Sequence, residues 1–167
     1  MAVTLKDEKI LETWGYVLAE AQDHTDHIFE NVQNRLEQSQ APGVRWGMID
    51  AQPGRIKGFF GKKRDYLLIR NDGLKEYRLY INAREYGLNL DISWFLTAEP
   101  SFFKGLVKEA VTGNPLSYLD VFDRQDLRAY VTIAHHSVVD TVKELMEQLG
   151  QDPSLLNTQS KGALEIW

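Results

Sequence analysis

Histidine and acidic residues concentrate in two short stretches of the chain. The stretch DHTDHIFE contains His24 and His27, and the stretch AHHSVVD contains the remaining two histidines, His135 and His136. Imidazole and carboxylate groups held close together are the side chains that bind transition metals or transfer protons in acid–base catalysis. The two stretches therefore raise the hypothesis of a divided metal site or an acid–base pair.

Helical periodicity argues against that hypothesis. Apolar residues recur at three- and four-residue spacing around both stretches, and on this helical projection His27 and His136 face away from the apolar stripe. His24 and His135 lie at the edges of their stripes, so His135 is expected to be partly buried. A metal site in a helical core needs ligands that project inward from facing helices. We interpret both stretches as solvated helix surface, with His27 and His136 as weak metal-ligand candidates and no cofactor expected.

Motifs of the common enzyme classes are missing from the sequence. The stretch GFFGKK has Lys63 where a phosphate-binding loop requires Ser or Thr, and its glycines are three residues apart instead of five. The motifs G-x-S-x-G, H-E-x-x-H and G-x-G-x-x-G do not occur. The chain has no cysteine, which excludes disulfides, thiolate zinc sites and cysteine nucleophiles. An enzyme is therefore not favoured.

Charge is unevenly distributed along the chain. Residues 55–84 contain nine basic and three acidic residues, a net charge of +6, whereas the whole chain carries −5, so the remainder carries −11. A basic segment favours an acidic partner, and the acidic remainder of a second copy has the required sign.

Length and composition are typical of one globular domain. The chain has 167 residues, of which 43% are hydrophobic and 26% are charged. Its first ten residues are charged and lack an apolar signal region, and no apolar run reaches the roughly 18 residues of a membrane span. We therefore expect a soluble, cytoplasmic protein that does not associate with membranes.

The elements that position these residues follow from hydrophobic spacing and from prolines. Before Pro42, apolar residues at three- and four-residue spacing predict a long N-terminal helix from Leu5 to about Gln38. Between Pro42 and Pro53, VRWGMIDA is a strand candidate. Alternating residues then predict three strands, over roughly 64–70, 76–83 and 88–97, as an antiparallel meander with one buried face.

The last part of the chain predicts helices. SFFKGLVKEAV, after Pro100, predicts a short helix, and a longer helix begins at Asp120 or Asp123 and ends near Leu149. We predict a single α+β domain over residues 1–150. It is a two-layer fold, with the N-terminal helix and C-terminal helices packed on one face of a sheet of about four strands. Residues 151–167 are predicted to form a tail, with ALEIW as its docking segment.

Basic and aromatic residues fall on the outward face of this predicted sheet, on the side opposite Leu79 and Ile81. The candidates for binding an anionic partner are Lys62, Lys63, Arg64, Arg70, Arg78, Tyr80 and Arg84, and the candidates for an assembly surface are Tyr66, Leu68 and Phe95. Arginine and aromatic side chains on a sheet can pair with phosphates and stack on bases, whereas an aromatic patch favours burial by a second subunit. An ordinary solvent-facing sheet explains the same residues.

The leading hypothesis is a non-enzymatic binding or self-assembly module that uses this basic, aromatic-containing sheet face. Its partner would be a protein or a second copy of the chain, with nucleic acid less favoured. The alternative is a small enzyme or ligand-binding protein whose pocket lies between the sheet and the helices, lined by Trp46, Trp94 and Tyr130. No motif in the sequence indicates a known family.

Overall fold

The described residues form a mainly antiparallel sheet with two helices on one face. The computed structural model describes residues 3–4, 9–52, 64–99 and 115–167. The described strands are β1 (Val3–Thr4), β2 (Lys9–Leu18), β3 (Val44–Gln52), β4 (Arg64–Asn71), β5 (Tyr77–Tyr86), β6 (Asn89–Ala98) and β7 (Lys161–Gly162). The described helices are α1 (Thr25–Ser39) and α2 (Val121–Gln148), with 3₁₀ turns at Pro115–Tyr118 and Pro153–Leu155. The predicted α+β class is confirmed. The stretch GFFGKK and the short helix predicted after Pro100 lie outside the described residues.

The strands lie side by side in the order β1-β3-β4-β5-β6-β2-β7. Strands β3 to β6 form an antiparallel meander in sequence order and lie near the positions of the four predicted strands. The predicted total of about four is too low, because β2 adds antiparallel to β6. Two-residue strands also lie at the edges: β1 pairs parallel with β3, and β7 pairs antiparallel with β2.

The predicted helix from Leu5 to Gln38 is wrong over its first half. Strand β2 occupies this part of the chain, and α1 begins only at Thr25. Glu20 and Asp23, between the two elements, have positive φ angles of 53° and 67°. These left-handed residues cannot belong to a continuous helix.

A β-bulge explains why the spacing in β2 imitates a helix. The register of β2 against β6 shifts between Ile10 and Glu12, so β2 contains one extra residue there. With this extra residue, Leu11 is buried in the same core as Trp14 and Leu18. The resulting intervals of three and four residues are those expected of an amphipathic helix.

One face of the sheet and both helices enclose the main hydrophobic core. Strands β4, β5 and β6 contribute alternate residues, as predicted, namely Leu67, Ile69, Leu79, Ile81, Leu90, Ile92, Trp94 and Leu96. Helix α1 contributes Ile28, Phe29, Val32 and Leu36. The Asp120 carboxylate caps α2 by accepting a hydrogen bond from the amide of Asp123 (2.8 Å), and α2 ends before Gly150, which has a φ of 71°. The predicted bounds of this helix are confirmed.

The opposite face of the sheet, called here the outer face, is also buried at its centre. Tyr80 is fully buried, and Tyr66 and Leu68 are each 8% exposed. Asn82 and Thr97 on the same face are buried as well. The expectation of a single buried face is therefore wrong for the middle of the meander.

Residues 160–166 pack against part of the β2 edge of the sheet. Strand β7 pairs with β2 at Glu12 and Thr13. The carboxylate of Glu12 is fully buried and accepts hydrogen bonds from the hydroxyl of Ser160 and from the amides of Leu164 (2.7 Å) and Glu165 (3.2 Å). Hydrogen bonds to an ionised acceptor are the strong ones, so Glu12 anchors the tail against β2.

Candidate functional site

The two histidine stretches do not form one site. His27 lies on α1, where its Nδ1 is 3.3 Å from the side-chain amide of Asn31. His136 lies on α2, and its Nε2 is 2.8 Å from the carbonyl oxygen of Trp167. Within the described ranges, no group of three or more His, Cys, Asp or Glu side chains has the geometry to hold a metal ion. Because α1 begins at Thr25, Asp23 lies before the helix and does not form an i,i+4 helical pair with His27.

His135 packs inside the core. Its side chain is fully buried, and the indole Nε1 of Trp94 donates a hydrogen bond to its Nδ1 (3.1 Å). An indole nitrogen only donates, so Nδ1 is the acceptor and the ring proton of the neutral imidazole lies on Nε2. Burial, followed by the nearby charge of His136, lowers the pKa of His135 to about 4, with the backbone of Thr158 opposing the shift. His135 is therefore neutral at pH 7.

Three arginines form a cross-strand row on the outer face. Arg45 lies opposite Arg70, which lies opposite Arg78. Like charges directly opposite one another destabilise a sheet. Acids compensate the two ends of the row, since Arg45 pairs with Asp72 (2.8 Å) and Arg78 pairs with Glu99 (3.0 Å). Excess positive charge remains at the middle of the row.

The predicted anionic-partner residues fall into different environments. Arg84 pairs with Asp91 (3.2 Å) and lies 5.6 Å from the ring centroid of Tyr86. Arg64 and Arg70 are exposed, and neither forms a salt bridge with another described residue. Outside the described residues lie Lys62 and Lys63.

The predicted assembly residues are brought together on the outer face. Tyr80 stacks on Phe95 with ring centroids 5.4 Å apart, and Tyr66 meets both rings edge-on at 6.3 and 5.8 Å. Leu68 belongs to the same cluster. Aromatic pairs in these orientations add roughly 0.5–1.5 kcal/mol beyond the burial of their area. The cluster stabilises the centre of the sheet, while the arginine row lies beside it.

Within the part of the chain that the structure describes, the outer edge of β3 is largely open. Among residues 3–4, 9–52, 64–99 and 115–167, only β1 pairs with this side of β3, and it covers only Ala51 and Gln52. Val44–Asp50 therefore have a strand neighbour on one side, β4, within the described chain. We call Val44–Asp50 the open edge.

Hydrogen bonding shows which residues of β3 face the open edge. The amide of Asp72 donates to the carbonyl oxygen of Gly43 (2.9 Å) at the end of the β3–β4 ladder. Hydrogen-bonded and non-hydrogen-bonded pairs alternate in an antiparallel ladder, so the odd-numbered residues of β3 bond to β4. The backbone N–H and C=O groups of Trp46 and Met48 therefore point to the open edge.

A polar cleft lies beside the open edge, on the helix side of the sheet. It has a volume of about 450 Å³ and is lined by Trp46 and by Glu30, Gln33, Asn34 and Glu37 of α1. The spacing of the four α1 residues places them on one face of the helix. Their polar character is visible in the sequence, but their position beside Trp46 depends on how α1 packs against the sheet. We call this feature the α1–β3 cleft.

Negative charge continues from this cleft along the sheet. Asp50 lies opposite Asp65 in the β3–β4 register. The pKa of Asp65 is raised, chiefly because it shares a hydrogen bond with the carboxyl group of Asp50, and further by burial and by the charge of Asp26. Asp26 lies one helical turn before Glu30 on α1, so the helix side of this edge is acidic along its length.

The residues predicted to line one pocket are separated. Trp46 lines the α1–β3 cleft, whereas Trp94 is fully buried against His135. Tyr130 lines a different cleft of about 370 Å³, between the turn before β3 and α2. The pKa of Tyr130 is raised because burial disfavours the phenolate, and its hydroxyl lies 3.4 Å from the carbonyl oxygen of Ile69.

No described helix is both long enough and apolar enough to cross a membrane. Comparison of the chain with protein-family models, with curated proteins and with solved structures finds no match. The proposals for function therefore depend on the charges, edges and clefts of the chain itself.

Proposed function

We propose that the protein is a non-enzymatic binding and assembly module in which a basic surface of the sheet binds an acidic protein surface. The observation that carries the proposal is the pair of exposed arginines on β4, Arg64 and Arg70, which form no salt bridge with another described residue. They lie on the outer face of the sheet, whereas the acidic α1–β3 cleft lies on the helix side, beside the neighbouring strand β3.

A second copy of the chain supplies the required acidic surface. Asp26, Glu30 and Glu37 lie on one face of α1, and the outer face carries the opposite charge. Complementary patches of this kind accelerate association and fix its orientation. Contact between two different surfaces is heterologous, so it produces rings or chains of copies instead of a two-fold dimer.

Sedimentation velocity at low and high salt tests the proposal. Raising salt from about 50 mM to about 500 mM shortens the screening length roughly threefold, so the assembled fraction should fall steeply. The double variant Arg64→Glu with Arg70→Glu should be monomeric even at low salt. A matched double variant, Arg128→Glu with Lys161→Glu, changes net charge equally at two exposed residues on other elements and should assemble like the wild type.

Two results would contradict this proposal. Assembly that does not change with salt would exclude an electrostatic interface, and equal loss in both double variants would show that only net charge matters. An acidic protein partner would appear as binding by the monomeric wild type that the Arg64 and Arg70 reversals abolish. Retardation of nucleic acid in a gel at physiological salt would assign the basic surface to a phosphate backbone instead.

Ligand binding is the second candidate, and the cleft of about 370 Å³ beside Tyr130 is the observation that favours it. Its walls come from the sheet edge at Val44 and Asn71 and from α2 at Ala129 and Ile133. A small-molecule thermal-shift screen distinguishes the candidates, because ligands in an apolar cleft should still raise the melting temperature at high salt. A screen without such ligands would discard this candidate.

A further inference from the structure

The open edge has only part of the usual protection against strand pairing. Natural edge strands carry proline, bulges or charged side chains, above all lysine, that block the approach of another strand. The sequence of the open edge, VRWGMID, contains no proline or lysine, and its two charged residues are Arg45 and Asp50 near its ends. Its register against β4 is unbroken over eight residue pairs, from Val44 to Ala51, so no bulge distorts it. A regular edge of this kind can accept an added strand through main-chain hydrogen bonds.

The backbone groups for such an addition are already in place. The N–H and C=O groups of Trp46 and Met48 point outward, two residues apart, because the odd-numbered residues of β3 are the ones that bond to β4. The Met48 side chain is 46% exposed, so a neighbouring strand would cover apolar surface as it forms these bonds.

The α1–β3 cleft determines which side chains the added strand carries. Alternate residues of an added strand point to the helix side of the sheet, where Glu30 and Glu37 line the cleft and Trp46 forms its wall. Carboxylates favour Lys or Arg, and the indole face adds a cation–π contact. Asp50 extends the same negative charge along the edge.

The outer side of the same edge has room for a different side chain. Gly47 faces the outer side, and a Cβ atom added there would meet no heavy atom within 4 Å. Leu68 lies opposite Gly47 in the register and carries apolar surface. A large apolar residue in the added strand can therefore lie across Gly47 toward Leu68.

We propose that the open edge binds an extended segment of a partner protein by strand addition, and that this segment has Lys or Arg at alternate positions with large apolar residues between them. The site is separate from the Arg64–Arg70 surface, but it shares Glu30 and Glu37 with the acidic face of α1 proposed for self-association, so a bound peptide and a second copy would compete for these two residues. Its partner is basic, whereas the partner of the arginine surface is acidic.

Peptide binding tests this proposal, with fluorescence anisotropy as the readout. The probe is a labelled eight-residue peptide with lysine at alternate positions and valine or phenylalanine between them. The control probe has the same sequence with its alternate backbone nitrogens methylated, which keeps the charge but removes the hydrogen-bond donors on one edge. The parent peptide should bind at least roughly tenfold more tightly than the methylated peptide, a difference of about 1.4 kcal/mol.

Substitutions in the protein test the two components separately. Met48→Pro removes an outward N–H that β4 does not use, and proline is tolerated where the N–H faces away from the sheet. It should weaken binding roughly tenfold, whereas Met48→Ala should leave it nearly unchanged. Glu30→Lys with Glu37→Lys should weaken binding at least as much, whereas reversal of the exposed Glu147 on α2 should not.

The proposal is overturned if the methylated and parent peptides bind equally, because the interaction would then be charge attraction without strand addition. It is also overturned if Met48→Pro abolishes self-association while no peptide binds, because the occupant would then be a second copy. Arg64→Glu with Arg70→Glu should not weaken peptide binding, so this proposal and the proposed assembly function can fail independently. The methylated-peptide comparison remains decisive if Met48→Pro does not fold.

Discussion

The two edge strands of the sheet, β2 and β3, are contacted in different ways by the rest of the described chain. At one edge, β7 pairs with β2 only at Glu12 and Thr13, but the buried carboxylate of Glu12 also binds the tail through three hydrogen bonds. At the other, β3 is paired by β1 only at Ala51 and Gln52 within the described residues, and Trp46 and Met48 direct their backbone groups outward. Within the described residues, the two edges therefore differ in that a buried carboxylate anchors the tail to the β2 edge, whereas Val44–Asp50 have no such contact.

Removal of the Glu12 carboxylate should lower the free energy of unfolding more than any change at the open edge. In Glu12→Ala, the hydroxyl of Ser160 and the amides of Leu164 and Glu165 lose their buried acceptor. We expect the free energy of unfolding to fall by about 3 kcal/mol, measured by urea denaturation. Glu30→Ala, at an exposed residue beside the open edge, should change it by less than about 0.5 kcal/mol. Equal losses would mean that Glu12 does not anchor the tail.

Replacing one glycine at each edge with alanine should affect stability differently at the two edges. A Cβ atom on Gly162 of β7 would collide with the carbonyl oxygen of Leu11 and the carboxylate of Glu12, and the φ of Gly162 is 148°. Gly162→Ala should therefore lower the free energy of unfolding by about 2 kcal/mol. Gly47→Ala at the open edge meets no neighbour and should be neutral or slightly stabilising. Amide exchange at Glu12 and Thr13 should increase only in the Gly162 variant.

Acid should weaken the packing of β2 against the core through His135. Its ring packs edge-on against Trp14 of β2 (5.9 Å). Its pKa is about 4 in the folded protein, compared with about 6.5 for an unperturbed histidine. Between these values the unfolded chain binds the proton and the folded chain does not, so stability falls as the pH decreases from 6.5 to 4.

The expected loss from His135 is about 2 kcal/mol between pH 7 and pH 5. Urea denaturation of His135→Gln at both pH values should show a smaller difference than the wild type. His24→Gln, at the start of α1 and outside the core, serves as the control and should keep the wild-type difference. Parallel curves for the wild type and His135→Gln would show that another group causes the pH dependence.

The smallest effect on stability is expected at the open edge. Met48→Pro removes an N–H that forms no bond to β4, so it should change the free energy of unfolding by less than about 1 kcal/mol relative to Met48→Ala. A loss of several kcal/mol would mean that Met48 contributes to pairing within the chain, and the edge would not be open.

The meander and α2 could be predicted because their signals are local. Asn71 and Gly73 specify a tight turn, the following strands alternate, and the side chain of Asp120 caps α2. Strand β2 could not be predicted, because its bulge gives Leu11 and Trp14 a helical interval. A bulge forms against a partner strand, so the partner β6 must be known before the spacing of β2 can be interpreted correctly.

The candidate sites could also be predicted only where the signal is local to one strand. Strand alternation placed Tyr66, Leu68 and Phe95 on a common face, and the structure brings them together. Burial of Tyr80 at their centre was not predicted, because alternation gives the face of a side chain but not what covers it. The α1–β3 cleft was missed because Glu30 and Trp46 are brought together only by the packing of α1 against the sheet.

The anchoring of Glu12 also has a consequence for the order of folding. Glu12 and Ser160 are 148 positions apart in the chain, so during synthesis the carboxylate is made long before its hydrogen-bond donors. Until then Glu12 remains hydrated, and both edge strands of the growing sheet can pair with other chains. Contacts of such long range form late and slow the folding of a domain. We therefore expect a nascent chain shortened before residue 160 to aggregate through β2, and a chain that includes residues 160–166 to aggregate less.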